Sequence, residues 1–435
     1  MEGLIMTAQL LLGLSILVGL HEFGHLIAAK IFGMRVEKYS IGFPPKIWGF
    51  QYGETEYSFG AIPLGGFVKI SGMIDESLDT STLDEEPQPW EFRAKPAWQR
   101  LIVMMGGIIV NVITGIFIYV AISYSTGETY LTKEELNKNG IVAYELGEQL
   151  GLKTGDRIIK INGRDYERYS DLRDPSEVFL GDNSYYTVDR NGQIFDVHIP
   201  NDFVNDLTDG DSRIPFIDYR APFKVSLVEP ESPASDGGLM DGDLITAING
   251  NEIKFFDEFQ NSLRENAGKK ISAVVTHESD KVNLEFQVRE EGTIGIHAEK
   301  IIDLQTDEYT LGEAVTRGTQ DAFGVVFVTI KGFGKMFKGD ADVRKSLAGP
   351  IRIAKMFGGT WIWLKFWTLT GLLSMVLAFM NFLPIPALDG GHVLFLTFEM
   401  ISGRKPSDRF LEGAQKVGMV FLLGLMAFVI VNDIL

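Results

Sequence analysis

Four long apolar stretches constrain this chain more than any other feature. They run from about residue 4 to 32, 101 to 123, 362 to 383 and 414 to 431. A helix needs about 20 apolar residues to cross a bilayer, so each of the four is a span by length or close to it. At that depth no water satisfies backbone groups, and a helix is the form in which such a stretch satisfies its own. Between the second and third stretches, from about 127 to 345, the chain turns polar and acidic, rich in Gly, Asn and Asp. This split predicts a membrane protein of about four helices carrying a folded insert. Glu2 precedes the first stretch, with no basic n-region and no small-residue cleavage site, which predicts a retained span rather than a signal peptide.

Charge and cysteine content exclude several classes. The chain has 40 Lys and Arg against 58 Asp and Glu, a formal net charge of −18. Nucleic acid is not an expected partner, because phosphate contacts need clustered basic groups. There is no cysteine. Disulfides and thiolate metal sites are therefore excluded, and any metal must be held by His, Asp or Glu.

The first span places ionisable groups where they are costly. "VGLHEFGHLIAAK" puts His21, Glu22 and His25 inside an otherwise apolar segment. Residues four apart share a helix face, so both imidazoles can reach one cation. Glu22 falls beside them, placed to act on water as a general base rather than to ligate. The plain alternative is a pair of buried histidines satisfied by hydrogen bonds. Burying Glu22 between them in a membrane weighs against an idle cluster, whereas Zn2+ would neutralise it. A catalytic zinc usually has three protein ligands. "NFLPIPALDGGH", at 381 to 392, supplies the best third candidate in Asp389, with His392 as a rival. Pro384 and Pro386 end the third span and free backbone groups, tolerated at membrane depth only where buried or lining a cavity.

The remaining segments support a composite architecture. Residues 36 to 72 alternate in strand fashion with Gly and Pro between, predicting short β-hairpins. The acidic "DESLDTSTLDEEPQPW" that follows predicts a solvated loop. The insert contains a repeat: "GLKTGDRIIKING" at 151 to 163 aligns with "GLMDGDLITAING" at 238 to 250. Each copy predicts a turn, a short strand of alternating Ile and an Asn-Gly hairpin turn. Residues 310 to 360 carry apolar groups at helical spacing with Lys and Arg between, predicting helices on the membrane surface. Gly106, Gly107 and Gly115 in the second span allow close helix approach, though ordinary packing accounts for them equally well.

The repeat resembles the core of PDZ domains, the strand-adding peptide binders. HEFGH in the first span, "NFLPIPALDGG" after the third and the PDZ-like pair between the second and third together resemble site-2 proteases. The match is to the bacterial regulator-of-sigma-E type of intramembrane zinc metalloprotease, and it extends through "PLGGFVKISG", "FRAKPAWQRLIVMMGGIIVN" and "SLAGPIRIAK". The resemblance implies zinc on His21, His25 and Asp389, with Glu22 as base. It implies that Asn381 holds the substrate backbone and that Gly65, Gly66, Phe67 and Val68 form an edge strand of a membrane-associated hairpin, pairing with extended substrate. Where the family often carries Ala-Gly-Pro, this chain has Gly106-Gly107-Ile108, a departure expected to alter helix shape without touching the metal.

The implied order is span 1 with HExxH (1–35), hairpins and acidic cytoplasmic loop (36–98), span 2 (99–126), PDZ-like domains (127–212 and 213–300), surface helices (301–360), span 3 with the Asp389 motif (361–400) and span 4 (401–435). Implied partners are the lipid bilayer, single-span membrane protein substrates such as anti-sigma factors or signal peptide remnants, and an upstream site-1 protease that trims them. Basic clusters at Lys30, Arg35 and Lys38, at Arg93, Lys95 and Arg100, and at Arg404, Lys405 and Arg409 favour a cytoplasmic side for both short loops. The insert is then extracytoplasmic, in a bacterial inner membrane, with the site toward the cytoplasm. The competing class is a catalytically idle scaffold whose PDZ pair recruits peptides. Loss of Glu22 or Asp389 would mark it, and both are present.

Overall fold

The structure is a computed structural model that describes residues 2–73, 86–209, 215–277 and 280–434. The expected acidic loop at 75–90 falls for the most part outside those residues. The chain divides into two compact units, Met1–Gly127 with Glu308–Leu435, and Glu128–Asp307.

In the first unit the principal helices are α1 (Glu2–Ile31), α2 (Ala97–Thr126), α3 (Leu311–Lys338), α4 (Pro350–Phe357), α5 (Trp363–Phe382), α6 (Asp389–Ser402) and α7 (Asp408–Ile434). Four are long and apolar enough to cross a membrane: α1, α2, α5 and Arg409–Ile434 of α7. They coincide with the four stretches expected from hydropathy. Glycines set the closest approaches, as bare backbone lets helix axes come together. A Cβ on Gly24 of α1 would fall onto the Gly106 carbonyl of α2, and one on Gly115 would lie 2.5 Å from Met375 Sδ of α5.

Residues 311–338 supply the first of the helices expected over 310 to 360. They form one continuous helix of 28 residues through Gly324, Gly332 and Gly334. Each interior Gly costs about 1 kcal/mol relative to Ala. Two features offset that. Thr310 and Glu313 close a reciprocal capping box at the N-terminus. Gly318 lets α3 lie against the backbone of Val120 on α2. Farther along, α4 begins with Gly349 and Pro350, and its exposed amides are capped from another element. Asp433, near the end of α7, accepts from Gly349, Ile351 and Arg352 N–H at 2.9, 2.8 and 3.2 Å.

Residues 36–70 form one long hairpin in place of several short ones. Strands β1 (Val36–Tyr52) and β2 (Thr55–Ile70) pair antiparallel, and the Gly and Pro residues are absorbed as irregularities of register. Both strands bend, so that two strands make four rows. Tyr39 lies opposite both Val68 and Tyr57, and Ser40 opposite both Phe67 and Ser58. The rows run 66–70, 36–41, 55–59 and 46–52. Row 66–70 is thus an edge, paired on one side only among the described residues. Val36, Val68 and Ile70 bury into a core with Leu26 and Ala29 of α1 and Val103 and Met104 of α2, fixing that edge against the first two helices.

The second unit holds two separate cores. One gathers Leu131, Ile158, Ile161, Tyr186, Val188 and Ile217, the other Val225, Ile245, Ile248, Phe259, Val275 and Phe286. The repeat has the same local structure twice. Gly151 and Gly238, Gly155 and Gly242, Asn162 and Asn249, and Gly163 and Gly250 all have positive φ. The strand within each copy, β3 (Arg157–Ile161) and β4 (Leu244–Ile248), buries both of its matching isoleucines. A buried Asp precedes each strand and accepts from the backbone three residues before it, Asp156 from Lys153 N and Asp243 from Met240 N. The unit begins and ends on one short ladder, where Glu128–Tyr130 pairs antiparallel with Gln305–Asp307.

Candidate metal centre

The helical spacing of HEFGH does what it predicts, bringing the His21 and His25 rings edge to face with centroids 4.8 Å apart. Their Nε2 atoms are 3.3 Å apart. Asp389 arrives from α6. Beyond α5, Pro384 and Pro386 prevent helix from continuing, and the turn passes through Ala387 at φ 75°. Gly390 fits beneath the Leu383 carbonyl, and Gly418 of α7 fits against that of Pro386. A side chain at either position would push the turn away. Asp389 thereby opens α6 with Oδ2 at 3.1 Å from His21 Nε2 and 3.3 Å from His25 Nε2.

These three atoms belong together as a donor set. His25 Nδ1 donates to the Val103 carbonyl at 2.8 Å, so Nε2 carries a lone pair. Asp389 Oδ2 is buried and faces both ring nitrogens. With both Nε2 atoms bare, the three lone pairs converge at distances that call for a cation among them. A four-coordinate tetrahedral ion with bonds of about 2.0–2.1 Å spaces its donors about 3.3 Å apart. The observed separations of 3.1, 3.3 and 3.3 Å fit that edge length.

Glu22 lies beside the cluster and within hydrogen-bonding reach of the Val68 backbone. All the other expected site residues line the same cavity of about 580 Å³: Gly65, Gly66, Phe67, Val68 and Asn381. The Asn381 amide nitrogen is 3.4 Å from His21 Nε2. The rival ligand His392 is placed otherwise: it lines the cavity, but its Nε2 accepts from the Gln415 amide of α7 at 2.8 Å. It stands outside the group of three.

Two contributors lie outside the sequence expectations. Gly107 faces both rings, where a Cβ would lie 2.5 Å from His21 Cε1 and 2.5 Å from His25 Nε2. The Gly106-Gly107-Ile108 departure therefore lies against the HExxH helix itself, and is not a remote matter of helix shape. Asn111 is the second, its amide nitrogen 3.3 Å from His21 Nδ1. The signal for both was a stripe: Val103, Gly107 and Asn111 stand four apart on α2.

Comparison with known proteins decides the family. The model of peptidase family M50 matches residues 9–425. The chain belongs to peptidase family M50. M50 peptidases of the site-2 type are metalloproteases, and so is this chain. It is 29% identical to regulator of sigma-E protease RseP of Escherichia coli, over 98% of this chain and 97% of that protein. It is 28% identical to the RseP of Salmonella typhimurium, over 98% and 97%. Among solved structures, a PDZ domain of an SdrC-like protein from Listeria monocytogenes is 27% identical. That match covers 18% of this chain and 87% of the other, with a TM-score of 0.16.

Proposed function

We propose that this M50 peptidase is an intramembrane zinc endopeptidase acting on transmembrane segments of membrane-anchored proteins. The observation that carries the reading is the convergence of two His Nε2 atoms and Asp389 Oδ2, with Glu22 and a strand edge opening on the same cavity. His21, His25 and Asp389 hold the ion. When bound, zinc supplies Lewis-acid polarisation and a nucleophile at near-neutral pH.

The chain's own residues do the rest. Glu22 takes a proton from the attacking water and returns it to the leaving amine. Row 66–70 offers its outer edge to an extended substrate. Asn381 holds the substrate backbone at the scissile bond. A substrate helix hides its carbonyls in its own hydrogen bonds, so it must unwind locally before it can be cut. Segments containing Gly, Pro or polar residues are therefore preferred.

The similarity to RseP proteins supports single-span substrates of the anti-sigma-factor kind or signal peptide remnants, first shortened by a site-1 protease. The two repeats of the insert act as PDZ-like domains that exclude bulky extracytoplasmic parts until that trimming has occurred. The basic short loops support an insert outside a bacterial inner membrane and a site toward the cytoplasm. The hairpin rests at the membrane, where Ile47, Trp48, Phe50 and Phe59 are exposed.

The test is Glu22→Gln in the full chain, with metal content and cleavage of a model single-span substrate measured together. Zinc should be retained and cleavage should fall by at least about 100-fold, the contribution of a general base. Cleavage at the parent's rate would sink the assignment.

A further inference from the structure

His21 and His25 point the same atom at the cluster, but their tautomers are set by different means. His25 donates Nδ1–H to the Val103 carbonyl, an atom that can only accept, and its Nε2 is left bare. Among the described residues, no carbonyl meets His21 Nδ1 as Val103 meets His25. His21 Nδ1 meets the side-chain amide of Asn111 at 3.3 Å, in an environment where Asn111 is 1% exposed. As oriented, that amide presents nitrogen to nitrogen, and the buried Asn111 Oδ1 has no hydrogen-bond partner among the described residues.

The two orientations of an amide have one shape, and the hydrogen-bond network decides between them. With the amide reversed, Oδ1 accepts from His21 Nδ1–H and the orphaned oxygen is satisfied. His21 Nε2 is then bare beside Asp389. Without the reversal, the ring proton is forced onto Nε2, into the space a cation would occupy. Leaving a buried amide oxygen without a donor is also costly, which favours the reversed form.

We propose that Asn111 is a positioning residue: its amide oxygen holds His21 in the Nδ1–H tautomer and so prepares that ring to ligate. The inference rests on the zinc reading above and deepens it. The stripe on α2 then has three tasks at successive turns. The Val103 carbonyl sets His25, Gly107 leaves space for both rings, and the Asn111 amide sets His21. Ser374 of α5 donates to the Asn111 carbonyl at 2.7 Å, which fixes that turn of α2 in place.

The experiment is competition for zinc between a chelator and the purified full chain, with visible absorption of the cobalt-substituted protein reporting donor geometry. Asn111→Leu removes the acceptor at similar size, and Asn111→Asp keeps it. Asn111→Leu should bind zinc 10–100-fold more weakly, about what loss of such an outer partner costs, and shift the cobalt bands. Asn111→Asp should stay within a few-fold of the parent. Should the Leu variant not fold, Asn111→Ala carries the same expectation. If the apolar variant binds zinc as the parent does, with the parent's cobalt spectrum, the proposal is overturned and the zinc reading stands. If Asn111→Asp is as weak as Asn111→Leu, an accepting oxygen is not what matters and the proposal is likewise overturned. If the parent itself binds no zinc, both fall together.

Discussion

Gly107 has no side chain, and the two histidine rings occupy the space one would need. Gly107→Ala should therefore displace the rings rather than merely crowd a helix. The expected outcome is at least a tenfold loss of zinc affinity in chelator competition. The metal-free protein should lose only about 1–3 kcal/mol in thermal unfolding, the usual cost of overpacking. At this scale the sequence was informative where chemistry and spacing coincide in one helix. His21, Glu22 and His25 are legible because residues four apart must share a face. Asp389, far along the chain, was legible only because a zinc site with two ligands lacks a third. Asn111 and Gly107 were not legible. A lone Asn or Gly in an apolar span has ordinary packing uses, and only the fold shows that the stripe containing them faces the histidines.

Helix ends and strand edges carry the second layer of design. The N-terminus of α4 is capped by Asp433 of α7, whose side chain is fully buried and also meets Arg352 Nε at 3.4 Å. Pro350 suits the first helical position, where its missing N–H is no loss, but the neighbouring amides still need an acceptor. Asp433→Ala should destabilise the protein by about 1–3 kcal/mol. Hydrogen exchange should quicken at the Ile351 and Arg352 amides while α1 and α2 stay protected. Equal exchange in parent and variant would show that the cap contributes nothing. Hydropathy located the four apolar helices well, since length and composition suffice for that. The helices expected over 310 to 360 are present, and residues 311–338 form one of them, seated on α2 at Gly318. The single bent hairpin was hidden. Gly and Pro mark turns and also mark bulges, and pairing over distance decides which.

For the whole molecule, the insert poses the larger functional question. If it screens substrates by size, joining Gly127 directly to Glu308 should let the enzyme cut substrates that no other protease has trimmed. Cleavage of a trimmed substrate should persist within a few-fold. A variant that still ignores untrimmed substrate would refute the size filter. The sequence repeat displayed the duplication plainly, because turns with positive φ demand Gly or Asn at fixed positions. It did not display the ladder that closes the unit. Residues 128–130 and 305–307 have no distinctive composition, and their pairing spans the whole insert.

That ladder has a consequence for how such a protease can change over time. A segment that departs and returns at adjacent points is an excursion, not a thread through the structure. It can be lengthened, exchanged or excised without rerouting a single helix. One hydrolytic core can in this way be fitted with different gatekeepers by grafting at a seam only a few residues wide.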